Sequence, residues 1–525
     1  MKNRLHVFAL GLMLFSCGEN FLDEQPKTAV LAKDFIADAD NIRSIMAGAY
    51  QPMRWEYYGS DAFYDFYCMP YLYTDVRSDD VVIENRLNGE QFHDFENFSL
   101  KTSDVNVHLI WLKFFTGVAT SNEIIQGLVQ VNEGLLGEGE KELLLAEARF
   151  LRAFYYFELV KNFGDVPLFG DIPADIADPN QIKRKPVSEV YLQIESDLLI
   201  ASEHLPLVQD ELYKATKGAA MGLLSKVYLY QEKWQLAADM AQAVINLNHY
   251  ALEEEYGDNW DITNEHGKES LFEITYFNER VPDPFSPLSR TSLTLQFFGP
   301  PFPEDHTGWV YNLITPELLQ AFNDAGDVER RDATIMQEGH EFDSPLLAAQ
   351  TILINTPKPA NPIPEGWFDI TLNSAASNGQ QFGNEFYYSL KYFLTPEEVD
   401  LHCPDFRYSS LNHKVLRYAE ILLILAESVA NGATGDGQGA LDLVRERAGL
   451  DPVPLTLDAI KLERRLELAT EWNRFHDLVR WGDAAEEIDG FTVGRDELLP
   501  IPVDEIILVG TLPDGDFILT QNTGY

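Results

Sequence analysis

The chain reads as mainly α, built from antiparallel helix pairs in series with one long irregular lobe set among them. Three observations predict this. Apolar residues recur at three- and four-residue spacing through several long segments, and short turn signals join these segments in pairs. Between about 253 and 411 the helical period gives way to Pro, Gly, Asn and aromatics.

Taken in order, an N-terminal tether over residues 17–32 precedes a first helix at 33–50. Segments 109–131, 141–163, Val187–His204, 217–231 and 234–247 follow as helices. In the second of these, Leu144, Ala148, Leu151, Tyr155 and Leu159 fall on one face, which must be buried. Gly164 can adopt the left-handed conformation that closes a helix and Pro167 cannot continue one, so the element ends near Phe163. The run AAMGLLSKVYLYQEKWQLAADMAQAVI places small Ala220, Ala238 and Ala241 against bulky Leu223, Tyr228 and Trp234 around a short turn. This is a tetratricopeptide-like pair, in which small residues admit close approach and aromatics fill the gap to the next pair. Residues 414–431 with 439–448 make a second pair, with GDGQG (435–439) as the turn between them, and a looser pair surrounds Trp111 and Phe154. Within 253–411 only a strand near 270–276 and a helix near 316–323 stand out. The expected organisation is a helical part 33–252 with a ligand-facing loop at 51–100, a loop-rich lobe 253–411, and a C-terminal helical part and tail 412–525. Residues 17–525 are expected to form one compact unit.

Four segments carry a family resemblance. AEARFLRAFYYFELVKNFGDVPL (146–168) resembles a hallmark of the SusD/RagB family of bacterial surface nutrient-binding lipoproteins. ERRLELATEWNRFHDLVRWG (463–482) is similar to the family's double-arginine helix and Arg-Trp-Gly ending through Arg464, Arg465, Glu467, Glu471, Arg474, Asp477, Arg480, Trp481 and Gly482. Residues 413–450 match a third motif through Arg417, Tyr418, Ala419, Glu420, Ala426, Glu427, Arg445, Arg447, Ala448 and Gly449, and LLPIPVDEI with QNTGY resembles the family's usual ending. Trp472 departs from the pattern where glycine is common, which predicts altered local helix packing. The resemblance implies a SusD-like fold: tetratricopeptide-like helix pairs in a right-handed superhelical scaffold that supports an irregular lobe. It also implies a glycan-binding lipoprotein at the outer-membrane surface, acting as lid to a SusC-like TonB-dependent transporter, without catalytic residues or cofactor. Peptide or glycopeptide capture by a RagB-like member is the alternative within the family. An extracellular glycoside hydrolase and a pure protein-interaction scaffold are rivals from other classes.

The N-terminal end agrees with this implication. Lys2 and Arg4 form a basic start, 7–15 is a short apolar stretch, and Leu14-Phe15-Ser16-Cys17 reads as a lipobox, so 1–16 is a signal peptide and Cys17 the lipidated residue. The apolar stretch is too short to span a bilayer, and no later run reaches eighteen apolar residues. Cys68 and Cys403 are the remaining cysteines, and spacing leaves open whether they pair or stay buried thiols. The formal charge of −45, with 84 Asp and Glu against 39 Lys and Arg, excludes nucleic acid and anionic membrane faces as partners and favours neutral or cationic ligands.

Ten aromatics fall within the twenty-four positions from Tyr50 to Tyr73, where the chain average of 12% predicts about three. Rings stack on apolar sugar faces while carboxylates, amides and guanidinium groups bond hydroxyls, so this segment suits a glycan platform, although any single ring is more often core. By family analogy the polar stretch that follows offers Tyr73, Arg77, Asp80, Arg86, Asn88 and His93 as hydroxyl partners. A second patch, FFGPPFPEDHTGWVYN (297–312), would hold Phe302, Trp309 and Tyr311 on a loop. Trp260 and Trp367 are weaker candidates, and Trp111, Trp234 and Trp481 pack helices. The sequence contains no G-x-S-x-G, no H-E-x-x-H and no phosphate loop. His402, Cys403 and His413 fit no standard metal spacing and read as a loop thiol beside exposed imidazoles, so no metal is expected.

Overall fold

The structure, a computed structural model, describes residues 38–54, 70–83, 92–132, 134–170, 182–277, 312–336, 387–403, 409–512 and 515–525, with Ser292 and Phe298. It also describes, through their backbone, the strands Tyr57–Tyr58, Phe66–Tyr67, Thr351–Leu353 and Trp367–Asp369. Helices dominate. They include α1 (Ala39–Gly48), α2 (Val105–Gln130), α3 (Glu140–Phe163), α4 (Val187–His204), α5 (Lys217–Tyr230), α6 (Trp234–Ile245), α7 (Pro316–Ala325), α8 (Val328–Thr334), α9 (Tyr418–Ala430), α10 (Gly437–Arg447), α11 (Leu457–Glu467) and α12 (Arg474–Trp481), with shorter helices such as Pro396–His402 and Val503–Val509.

Their limits follow local chemistry. Asp104, Thr216, Asp436 and Thr456 cap α2, α5, α10 and α11 by accepting backbone N–H bonds, which satisfies donors that the first helical turn leaves open. Gly164, at φ +69°, stops α3 directly after Phe163 as the sequence predicts. α2 through α6 pack one on the next, α6 then packs on α9, and α9 on α10. The lobe is therefore an insertion between consecutive members of a single helical array. Close approach depends on missing side chains: a Cβ at Gly117 of α2 would stand 2.4 Å from the Tyr155 ring of α3.

Two features differ from the sequence reading. The second pair does not begin as helix at residue 414: His413–Arg417 is a strand, antiparallel to Ser270–Ile274. Its five residues show neither period clearly and are buried on both faces, and the waiting edge of the 270–274 strand decides for a strand. Trp472, expected to disturb a helix, sits in the turn between α11 and α12 at φ +66°. That left-handed conformation explains why glycine suits the position, since an L-residue there carries a penalty of roughly 1–2 kcal/mol. Trp472 offsets it by stacking on His413, with ring centroids 3.4 Å apart, and on Tyr392.

Strands are few and short. Val81–Val82 (β1), Leu313–Ile314 (β2), Ile335–Met336 (β3) and Tyr387–Ser389 (β4) form one sheet in the order β1-β2-β4-β3. It joins the segment after the first aromatic stretch to the lobe. Among the described residues no helix is long and apolar enough to cross a membrane.

Candidate functional site

The residues that carry the family resemblance form a buried ionic frame. Arg417, 1% exposed, donates from Nη1 to Glu269 at 2.6 Å and Glu467 at 2.5 Å, and from Nε to Glu471 at 2.7 Å. Arg330 reaches Glu463 and Glu467 at 2.7 and 2.8 Å, and Arg447 joins Glu269 and Glu467. Lys391 bonds Glu471 at 2.7 Å beneath the Trp260 ring, its amine 4.1 Å from the ring centre, so Trp260 walls this frame. Beside it, Arg464 and Arg480 clasp Asp477, and Arg480 also holds Glu427, which accepts the Trp481 indole N–H. Burial by itself would raise Glu467, but Arg447, Arg417 and Arg330 overcome it and hold the carboxylate well below its usual range.

The frame anchors the small sheet. Arg474 grips Asp79 through two bonds of 2.8 Å, and Arg465 grips Asp80 at 2.6 and 2.8 Å. The Asp79 and Asp80 carbonyls in turn accept from the Thr315 hydroxyl and N–H at 3.0 Å each. So two signature arginines fix the start of β1, and β1 fixes the end of β2. Val81 pairs with Ile314 and Val82 with Leu313. The chain therefore leaves β1 toward residues 84–91 at the sheet end where it enters β2 from 299–311. Those are the two stretches that hold Arg86, Asn88, Phe302, Trp309 and Tyr311, which themselves lie outside the described residues, as do Cys17 and Cys68.

At this sheet end stand Asn312 and Ser389, one residue beyond the Leu313–Tyr388 pair, Asn312 just before Leu313 and Ser389 just after Tyr388. Both are 1% exposed; neither side-chain atom of Asn312 has a hydrogen-bond partner, nor does the Ser389 hydroxyl. Buried polar groups of this kind cost about 1–3 kcal/mol each unless water or a ligand satisfies them. Sequence reasoning passed over both, because an isolated Asn or Ser carries no periodic signal.

Of the other candidates, three lie inside the protein. Tyr73, 2% exposed, lines a cavity shared with Trp472, His413, Lys161 and Lys226. Arg77 donates from Nη2 to the Asp496 carbonyl at 2.5 Å and sits 4.1 Å over the Phe475 ring; burial pushes it down to about 10. Asp80 is the Arg465 partner already described. These positions correct the expectation that Tyr73, Arg77 and Asp80 stand on a ligand-facing loop: Arg465 and Arg474 pin segment 73–80 into the core through Asp79 and Asp80. His93 is half-buried, with Nδ1 2.8 Å from Glu96. Tyr50 and Tyr71 are buried as well, so the described rings of the aromatic run are packing. His413 is also buried, not the exposed imidazole expected, and stacks on Trp472; Cys403, just past a helix end, is a buried thiol packed with Ile262, Leu394, Val399 and Leu411. Among the described residues no group of three His, Cys, Asp or Glu is placed to hold a metal.

Two family profiles match the chain. One, described as starch-binding and associating with the outer membrane, covers residues 20–229, and one described as the SusD family covers 298–505. The chain belongs to the SusD/RagB family. Among relatives, a SusD-like protein P2 of Formosa agariphila is 26% identical across the whole of both chains, and a SusD-like protein of Bacteroides ovatus is 25% identical over 92% of this chain and 83% of its own. Among solved structures, a laminarin-binding SusD-like protein superposes with a TM-score of 0.73 at 27% identity, covering 93% of this chain and all of its own. Surface glycan-binding protein A from Bacteroides thetaiotaomicron, in complex with laminarihexaose, does so with 0.75 at 25% identity and the same coverage. The mainly helical, tetratricopeptide-like architecture is thus that of the family.

Proposed function

We propose that this chain captures a neutral glycan at the cell surface and passes it, without chemical turnover, to a SusC-like TonB-dependent transporter, held to the outer membrane by lipid on Cys17. One observation carries the glycan reading: the two segments rich in hydroxyl-seeking and aromatic residues leave adjoining strands at the same sheet end, on a base held rigid by Arg465 and Arg474. Arg86 and Asn88 on one side, and Phe302, Trp309 and Tyr311 on the other, are the proposed ligand contacts, with His93 where the first segment returns. The laminarin and laminarihexaose recognised by the two structural relatives make β-1,3-glucan oligosaccharides the first ligands to test.

Calorimetric titration of the full chain against laminarihexaose, other neutral oligosaccharides and a peptide panel is the direct test. Saturable oligosaccharide binding that Trp309→Ala weakens at least tenfold supports the reading. Binding confined to peptides overturns the ligand class, and release of reducing ends by the purified chain overturns the absence of turnover. Cys17→Ala should release the chain from the membrane fraction.

A further inference from the structure

We infer that an exposed apolar surface, shared by the first two turns of α2, the short helix Val503–Val509 and the Thr511–Phe517 bridge, is where this chain docks on the SusC-like transporter of the proposed function. The inference rests on that reading for the identity of the partner. The surface is argued from the described residues alone.

Five large apolar side chains stand in solvent there. Val105 and Leu112 belong to α2, and Ile507, Leu508 and Phe517 are 64%, 78% and 52% exposed. Apolar residues exposed singly are ordinary, but these are neighbours. His108 Nε2 lies 2.9 Å from Glu505 and Nδ1 3.6 Å from Asp504, and the Thr102 carbonyl accepts the Val503 N–H at 2.8 Å. The short helix is thereby fixed beside the start of α2. Val105 and Leu112 stand three residues before and four after His108, on its helix face, and Ile507 and Leu508 stand three and four after Asp504. The Gly510 carbonyl accepts the Ile518 N–H at 3.1 Å and Thr511 pairs with Phe517, which folds the tail back against the helix end. The short helix buries Ile506 and packs Val509 on the core, so the fold is served by its other face.

Charge selects the occupant. Asp104, Asp504 and Asp516 border the surface against Lys101, on a chain of formal charge −45. A second copy would bring the same acids to face these, and an anionic lipid surface would be repelled in the same way. A protein surface with an apolar centre and a border of Lys and Arg covers the five side chains and meets the acids. That is the face the transporter is expected to present.

The test isolates the full, tagged chain with Cys17 intact from the outer membrane of its native host in mild detergent and measures the SusC-like transporter that accompanies it. Leu508→Glu should carry at least tenfold less transporter than the parent, and Asp504→Lys several-fold less. Both should keep the parent's unfolding temperature and affinity for laminarihexaose, since both side chains are exposed and outside the glycan contacts. Trp309→Ala should keep the transporter. If both surface variants carry as much transporter as the parent, this docking surface is overturned and the proposed function stands. Self-association in sedimentation, or binding to phosphatidylcholine vesicles, that Leu508→Glu abolishes without loss of transporter would overturn it in favour of a second copy or of lipid. If the parent carries no transporter, the transporter reading and this inference fall together, while the glycan reading is judged by its own titration.

Discussion

In α9, α11 and α12 the charged side chains face one another inside the protein, and nearly every polar atom of Arg417, Glu467 and Asp477 has a partner. At the sheet end, polar groups instead lack a hydrogen-bond partner, as with both side-chain atoms of Asn312 and the Ser389 hydroxyl. The first region makes the chain recognisable, and the second is the proposed ligand site. A family signature can therefore be dense in Arg and Glu and still be interior, where it holds the strand from which a proposed ligand segment departs.

The comparison breaks most easily at the frame. Arg417→Met should lower unfolding stability by about 3–5 kcal/mol in urea titration, since Glu269, Glu467 and Glu471 would lose their shared partner and three buried carboxylates would be left to Arg447, Arg330 and Lys391. A loss below about 1 kcal/mol would mean that the frame does not carry the fold. Arg77→Met comes next. It should cost about 1–3 kcal/mol through the orphaned Asp496 carbonyl and the lost contact over Phe475, while glycan affinity stays within twofold of the parent. A tenfold fall in affinity with unchanged stability would return Arg77 to the ligand surface.

Away from the frame, Glu147 is fully buried and burial raises its carboxyl to about 7, against the pull of the Tyr50 hydrogen bond. The folded chain then retains a proton that the unfolded chain releases between about pH 4.5 and 7. Stability from this group is complete below that window and falls as pH rises through it. Glu147→Gln cannot ionise and should flatten the decline by an amount on the order of 1–3 kcal/mol across the window. Asp75 and Glu265, raised by burial to about 7 and about 8, keep part of the slope. An unaltered pH profile would show that the Glu147 carboxyl does not titrate with folding. The smallest stability effect belongs to Trp309→Ala, within about 0.5 kcal/mol, paired with at least a tenfold loss of glycan affinity, about 1.4 kcal/mol. A large drop in its melting temperature would place that ring in the core.

The helices were legible because their cause is local. Periodic apolar faces, Thr and Asp caps and the stop at Gly164 are written in consecutive residues, so α3, α4 and α6 lie where the sequence puts them, within a residue or two at most ends. The 413–417 strand was not legible, since its partner lies about 140 residues earlier and offers no local mark. The candidate site was legible only in part. Polar residues at 73–80 resemble loop residues by composition, and nothing nearby in the chain announces that Arg465 and Arg474 will draw Asp79 and Asp80 inward from nearly 400 residues away.

By itself, then, the sequence determined the helical class, the pairing of neighbouring helices and the family, all of which follow from short-range periodicity and from motifs in unbroken runs. Tertiary structure alone decided which of those charged and aromatic residues are interior. Burial is set by distant segments meeting, and a guanidinium that finds its carboxylates across the fold leaves the surface while an identical one without them stays there.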